Sequence, residues 1–163
     1  MYARIAYNGN PGGSRHGALQ PYFFLDPYVP RNRATDIKDG TSNTIMIGER
    51  AGSPHIYRYT ERIPMSYLGG ILHGLNGGGW GDFLNGEHWL SGSLQDGNPG
   101  PDGGPCAMNC TNLRGLNFFS FHPGRVLYLM CDGSVQDMSE SIDARSFAAA
   151  ITRVKGDKFE WRD

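Results

Sequence analysis

Two side chains that could do acid–base or metal chemistry, His122 and Asp132, are separated by nine residues, and Gly133 follows the aspartate. An imidazole and a carboxylate recur together in general-base catalysis and in metal binding. The residues between them predict a strand over 125–131, and its seven residues would hold the two groups about 23 Å apart at ~3.3 Å each. We therefore favour a structural interpretation. Asp132 and Gly133 would form a two-residue type I′ hairpin turn, and His122 would bond a backbone group in its own turn.

A second polar cluster lies directly before an apolar, β-branched run. Asp39, Gly40 and Asn43 belong to a segment of turn-forming residues, and the strand predicted over 44–49 ends in Glu49. The turn amides of such a segment could bind an anion, and its oxygens could bind calcium. Because Asp and Asn side chains readily bond their own backbone, we favour the interpretation that the segment fixes the start of the strand.

Asp96, Asn98 and Asp102 place three oxygen ligands at short spacing among glycines. Calcium favours loops of this composition, although the EF-hand pattern is not met. These three residues are the candidate metal ligands, and calcium is the one cofactor that the sequence suggests.

The three cysteines divide into a close pair and a single residue. Cys106 and Cys110 lie four apart and could close a small disulfide loop, which would imply an oxidising compartment. Two free thiols and a zinc site are the alternatives for this pair. Cys131 ends an apolar run and is predicted to be a buried, inert core thiol.

A glycine-rich stretch over 69–86, which contains Trp80 and Phe83, and a Gly/Pro-rich stretch over 97–105 together predict a long, ordered surface loop. His88 with its neighbours Glu87 and Trp89, or His73 near Trp80, could line a carbohydrate site; packing of the loops is the plainer interpretation. The hydrolase motifs G-x-S-x-G and H-E-x-x-H do not occur, nor do the phosphate-binding loops. The sequence therefore predicts a protein that is not an enzyme.

The elements that must position these residues are mostly short strands. Strands are predicted over 4–8, 44–49, 56–60, 117–121, 125–131 and 134–138. A C-terminal helix is predicted from an N-cap at Ser141 or Asp143, with Phe147, Ile151 and Val154 on its apolar face and Gly156 as its C-cap. The expected fold is a single α+β domain over 1–163, mostly antiparallel sheet with long Gly-rich loops.

Composition excludes some classes of partner. The chain has 24 Gly and 10 Pro among 163 residues, and its formal net charge is −1. A chain with so little net charge lacks the basic face of a nucleic-acid binder. Its longest apolar run, at 126–131, is far too short to cross a membrane.

Two separated blocks of the sequence resemble one bacterial family. His122, nine residues and then Asp132-Gly133 are similar to the signature of the prepilin-type processing-associated H-X9-DG proteins, a pseudopilin-like domain of unknown function. Residues 36–49 resemble that family's DITDGTSNTIMVGE block, and 121–126 its RHPGGV turn. The resemblance covers about 34–49 and 117–156, and 52–114 corresponds to the family's variable, loop-rich region.

The resemblance implies the head domain of a type IV pilin or of a type II secretion pseudopilin, a class in which some loops hold calcium. It implies a structural or assembly protein outside the cytoplasm, at the cell surface, secreted or periplasmic, with itself or other pilin-like subunits as partners. The chain begins inside what resembles the soluble part, so membrane contact is expected only through a helix absent from this chain. The alternatives are an extracytoplasmic calcium- or glycan-binding module and a hydrolase with an unrecognised site.

Overall fold

A three-stranded antiparallel sheet and one helix hold most of the core in the computed structural model, which describes residues 17–19, 33–64, 76–82 and 90–154. The strands are β1 (Ile45–Gly48), β2 (Tyr57–Arg58), β3 (Glu61–Arg62), β4 (Arg125–Met130) and β5 (Val135–Ser139), and the helix is α1 (Ala144–Ile151). Short 3-10 turns at Ala34–Asp36 and Thr41–Asn43 precede β1. Antiparallel sheets with a C-terminal helix confirm the predicted α+β class. The predicted strand at 4–8 lies outside the described residues.

The main sheet has the order β1-β4-β5. Strand β2 pairs with β3, and Arg58 of β2 also bridges Thr111. Along β4 the side chains of Val126, Tyr128 and Met130 are buried, whereas Arg125 and Leu127 are exposed. This period of two is the pattern of a sheet with one face on the core and one face in solvent.

Helix α1 covers the inner face of the sheet. The Asp143 carboxylate caps it by accepting hydrogen bonds from the backbone N–H groups of Arg145 at 3.1 Å and Ser146 at 2.9 Å. Phe147 is fully buried, and its ring centroid lies 5.8 Å from that of Tyr128 on β4. Edge-to-face aromatic contacts of this kind join the helix to the sheet.

The helix is shorter than the sequence predicted. It ends at Ile151, so Val154 does not extend the buried face and is 45% exposed. The backbone N–H groups of Lys38 and Asp39 donate to the Arg153 carbonyl at 2.7 and 3.2 Å. These bonds hold the chain in a different direction, which explains why the helix does not continue. Gly156, the predicted C-cap, is outside the described ranges.

Two predicted strands differ from the structure. The strand predicted at 117–121 is wrong: Phe118 and Phe119 make isolated parallel bridges to Met108 and Arg50, two unrelated segments, and no continuous ladder forms. The strand predicted at 56–60 ends at Arg58, because Tyr59 turns the chain with a positive φ of 52°. Among the described residues, no helix is both long enough and apolar enough to cross a membrane.

Candidate functional site

The Asp132-Gly133 pair lies in the hairpin between β4 and β5, as predicted, but the turn type is different. Only Gly133 has a positive φ, at 89°. The Gly133 N–H donates to the Met130 carbonyl at 3.1 Å, and the Met130 N–H donates to the Ser134 carbonyl at 2.8 Å. This is a three-residue loop, Cys131 to Gly133, with glycine in the left-handed position that a G1 bulge requires. The prediction of a two-residue type I′ turn is therefore wrong.

The Asp132 carboxylate accepts two hydrogen bonds from Ser134, the residue that follows this loop. Its Oδ1 accepts hydrogen bonds from the Ser134 backbone N–H at 2.9 Å and the Ser134 hydroxyl at 2.7 Å. These bonds to Ser134, with a smaller contribution from the Ser42 side chain, hold the pKa of Asp132 below its ordinary value. Asp132 is thus an ionised, exposed turn residue.

The Asp39–Asn43 segment bonds to itself and to the hairpin. The Asn43 side-chain amide donates to the Asp39 carbonyl at 3.4 Å, and the Thr44 hydroxyl donates to the Gly40 carbonyl at 2.9 Å. Gly40 has a φ of 99°, which favours glycine. The Cys131 N–H then donates to the Thr44 carbonyl at 2.9 Å. The two motif blocks therefore meet at this end of the β1–β4 pair.

Glu49 and His122 meet at the opposite end of the same strand pair. His122 Nε2 lies 4.0 Å from Glu49 Oε1, and the imidazole is largely exposed. The Glu49 backbone is anchored on both sides, because its N–H donates to the Leu127 carbonyl and its carbonyl accepts from the Phe119 N–H, each at 3.1 Å. The six residues of β4 separate His122 from Asp132 by about 20 Å. They do not form a shared site.

The two histidines that the structure describes contact a carboxylate and a guanidinium group. His122 approaches Glu49, and His55 Nδ1 lies 3.0 Å from Arg62 Nη2. In the part of the chain that the structure describes, neither ring bonds a serine hydroxyl or a cysteine sulfur. The carbohydrate candidates His73, Glu87, His88 and Trp89 lie outside the described residues.

The candidate calcium loop is held by hydrogen bonds of its own. The Asn98 N–H donates to Asp96 Oδ1 at 2.9 Å, and the Asn98 amide donates to Asp96 Oδ2 at 2.6 Å. These bonds, followed by the nearby Arg58 charge, lower the pKa of Asp96. Arg58 Nη2 also donates to Asn98 Oδ1. Two of the three predicted ligands, Asp96 and Asn98, are thus already hydrogen-bonded to each other.

The spacing of the metal-ligating side chains also bears on the predicted calcium site. Within the described ranges, no three histidine, cysteine or carboxylate side chains lie close enough together to hold a metal ion. The predicted calcium ligands are two carboxylates and an asparagine, a combination that this observation does not cover. The calcium site therefore stays a prediction.

Cys106 and Cys110 form the predicted disulfide, with their Cα atoms 6.4 Å apart. Both are buried, and the Ser93 and Cys106 backbones exchange hydrogen bonds beside them. Cys131 is free, but it is half-buried in the hairpin loop and is not part of the core. The prediction of a core thiol is wrong because the strand ends one residue earlier, at Met130. Burial, with the neighbouring Asp132 charge, raises the pKa of Cys131 to about 11.

A cleft of about 450 Å³ lies beyond the end of β1. It is lined by Gly48, Arg50, Gly52, Ser53, Gly78, Gly79 and Trp80. The sequence prediction named Trp80 as a candidate but missed Arg50 and Ser53. No local pattern could have found them, because the cleft forms where the chain after β1 meets residues 76–80.

Together these features define an α+β fold with one short-range disulfide. The Asp39–Glu49 and His122–Gly133 motifs meet at the two ends of the β1–β4 strand pair. The profile of one family matches residues 5–145, most of the chain, and that family is described as protein of unknown function (DUF1559). The chain belongs to the DUF1559 family. No curated protein and no solved structure matches it.

Proposed function

We propose that this protein is a non-enzymatic structural or assembly subunit outside the cytoplasm, built like the head of a type IV pilin or a type II secretion pseudopilin. The H-X9-DG resemblance supports this class. The Cys106–Cys110 disulfide supports the compartment, because such bonds persist mainly in oxidising environments.

The observation that carries the proposal is the apolar outer face of the main sheet. Ile47 on β1 lies opposite Leu129 on β4, which in turn lies opposite Val135 on β5. Ile47 is 53% exposed, Val135 is 64% exposed, and Leu127 beside them is 41% exposed. A solvated sheet face normally carries polar residues at these positions. A contiguous apolar row across three strands is the mark of a protein-binding surface.

The occupant that fits this face best is a second copy of the chain. Arg125 and Asp137 form an ion pair on the same face, beside Leu127. Because these two charges are paired with each other, they add no net charge that would repel an identical surface. Two copies related by a two-fold axis could also exchange these partners, as self-complementary interfaces do. The face is small, so we expect weak association, with a dissociation constant on the order of 0.1 mM.

Sedimentation velocity over a concentration series tests the proposal. We expect a concentration-dependent dimer or larger species for the native chain. Val135→Glu should weaken association roughly tenfold or more, because it places a charge at the centre of the contact. Val154→Glu is the matched control, since Val154 is similarly exposed but off the sheet, and it should leave association unchanged. A native chain that stays monomeric up to millimolar concentration, or a control that is equally disruptive, would overturn the proposal.

A further inference from the structure

Strand β5 lies at one edge of the main sheet and has a neighbouring strand on one side only. In an antiparallel ladder, alternate residues point their backbone N–H and C=O groups to opposite sides of the strand. The Met130 N–H donates to the Ser134 carbonyl, and the Glu140 N–H donates to the Gly124 carbonyl. The even-numbered residues of this segment therefore bond to β4, and the odd-numbered residues point their backbone groups away from it.

The odd-numbered residues of β5 are Val135, Asp137 and Ser139, and all three are exposed. The Ser139 carbonyl accepts from the Ile142 N–H at 3.1 Å, which closes that end of the edge. Within the described part of the chain, the backbone groups of Val135 and Asp137 receive no hydrogen bond from any further segment. These two residues thus present two donors and two acceptors in line.

The edge also lacks the devices that usually prevent pairing with another chain. Such devices are prolines, lysines, bulges and covering segments. Strand β5 contains neither proline nor lysine, and its pairing with β4 runs without a bulge. Its one charge, on Asp137, is paired with Arg125. Of the described strands, β1 has the most extensive contact with helix α1, and β1 lies at the opposite edge of the sheet.

We propose that β5 pairs in the antiparallel direction with β5 of a second copy, so that two three-stranded sheets join into one. The two-fold axis passes through Gln136. An axis at Met138 would need a side chain that is buried in the core, and an axis at Asp137 would set two carboxylates directly opposite each other. The axis at Gln136 places Val135 of each copy opposite Asp137 of the other, and about four hydrogen bonds form between them.

A second copy fits this edge because the pairing is self-complementary. The same two residues supply the donors and the acceptors, as a two-fold interface requires. Each Asp137 keeps Arg125 of its own chain as its ion-pair partner. The joined sheet also extends the apolar outer row of Ile47, Leu129 and Val135 into the second copy. That extension matters only where the outer face binds as proposed above, whereas the backbone pairing does not depend on it.

Disulfide trapping of Gln136→Cys, in a Cys131→Ser background, tests the position of the axis. Residues at this axis face each other with their Cβ atoms about 4.5–5.5 Å apart, close enough for a disulfide after a small movement. We expect a cross-linked dimer on non-reducing electrophoresis after mild oxidation at micromolar protein. Asp137→Cys in the same background is the matched control. Its two copies are diagonal neighbours, about 7–8 Å apart, and should cross-link roughly tenfold more slowly.

Proline at position 137 tests the hydrogen bonds themselves. Asp137→Pro removes an N–H that points away from the sheet, a change that an edge strand tolerates. Added to Gln136→Cys, it should slow cross-linking roughly tenfold or more, because each copy loses a central donor. Asp137→Ala loses the carboxylate but keeps the N–H, so it should leave most of the cross-linking. Circular dichroism checks that each variant is folded.

Gln136→Cys that cross-links no faster than Asp137→Cys would overturn the edge pairing, whether or not the proline variant folds. Equal cross-linking by folded proline and alanine variants would overturn it as well. Ile47→Glu separates this pairing from the proposed face contact, because Ile47 lies on β1 at the far edge. It should weaken association in sedimentation velocity and leave the Gln136→Cys cross-link unchanged. A cross-link that is lost in Ile47→Glu would contradict a separate edge contact, and unchanged sedimentation would count against the face contact alone.

Discussion

Substitutions at Gly133 measure the free-energy cost of a left-handed backbone conformation without crowding of neighbouring atoms. Gly133 has a φ of 89°, and a Cβ built there meets no atom within 4 Å. Any loss of stability must therefore come from backbone conformation alone. Gly133→Ala should lower the free energy of unfolding by about 1–2 kcal/mol. Gly133→Val should cost about 2–3 kcal/mol because its β-branched side chain resists positive φ. Gly133→Asn should cost roughly half as much as alanine, since asparagine tolerates this region.

Gly104 provides the matched control for crowding. Its φ is not in the left-handed region, but a Cβ there would lie far inside van der Waals contact of the Ser93 carbonyl. Because that neighbour is backbone, the chain itself would have to move, and Gly104→Ala should cost about 3 kcal/mol. The same methyl group is thus expected to act by a different mechanism at each position.

Urea denaturation followed by circular dichroism measures both sets of variants. For a chain of this size, 1 kcal/mol corresponds to about 2–4 °C in the melting temperature, which gives a second readout. The order asparagine, alanine, valine at Gly133 is the diagnostic result. Equal stabilities for all three variants would show that the loop does not hold Gly133 in the left-handed region. A larger loss for Gly133→Ala than for Gly104→Ala would refute the assignment of crowding.

Three further predictions concern groups that titrate or lack partners. The buried Tyr128 hydroxyl has no hydrogen-bond partner among the described residues, so Tyr128→Phe should leave stability unchanged or raise it by about 1 kcal/mol; a loss above that size would reveal a missed partner. The pKa of Asp132 is below its ordinary value of 3.8, so its contribution to stability is present above that pH and is lost as the pH falls through the folded-state pKa. Asp132→Asn should therefore show a shallower fall in melting temperature below pH 5 than the native chain, and equal slopes would contradict this. With the disulfide intact, Cys131 should react with iodoacetamide at pH 8 roughly tenfold more slowly than a free cysteine. Its pKa of about 11 leaves little thiolate, and the greater nucleophilicity of that thiolate offsets only part of the loss. Asp132→Asn should speed the reaction, and labelling at the free-thiol rate would show that the thiol is not shielded.

Short-range sequence patterns predicted the features that depend on contacts between residues close together in the chain. Asp143 could be recognised as a helix N-cap because its side chain bonds residues two and three positions ahead. The apolar run predicted a strand over 125–131, and β4 occupies Arg125–Met130, but a run that is apolar at every position does not indicate which of its side chains are buried. The Cys106–Cys110 disulfide was also predictable, because a separation of four residues limits how far apart the two Cα atoms can be.

Features that depend on distant partners were not predictable in this way. The dipeptide at Asp132 and Gly133 suits both a two-residue turn and a three-residue loop, and the choice is made by the bonds between Met130 and Ser134. Residues 117–121 have the composition of a strand, but their neighbours are loops that offer only single bridges. The Arg50 cleft depends on how the chain beyond β1 meets residues 76–80, which no local pattern encodes.

The positions of the motif residues suggest that their role is to set the register of β1 against β4. At one end the Cys131 N–H binds the Thr44 carbonyl, and at the other the Glu49 and Leu127 backbones are joined. A shift of one residue would reverse every side chain of β1 and turn Ile47 away from the outer face. It would also displace Arg50, which follows the same strand. Changes that break the motif contacts should therefore weaken self-association together with stability, whereas Val135→Glu should weaken self-association alone.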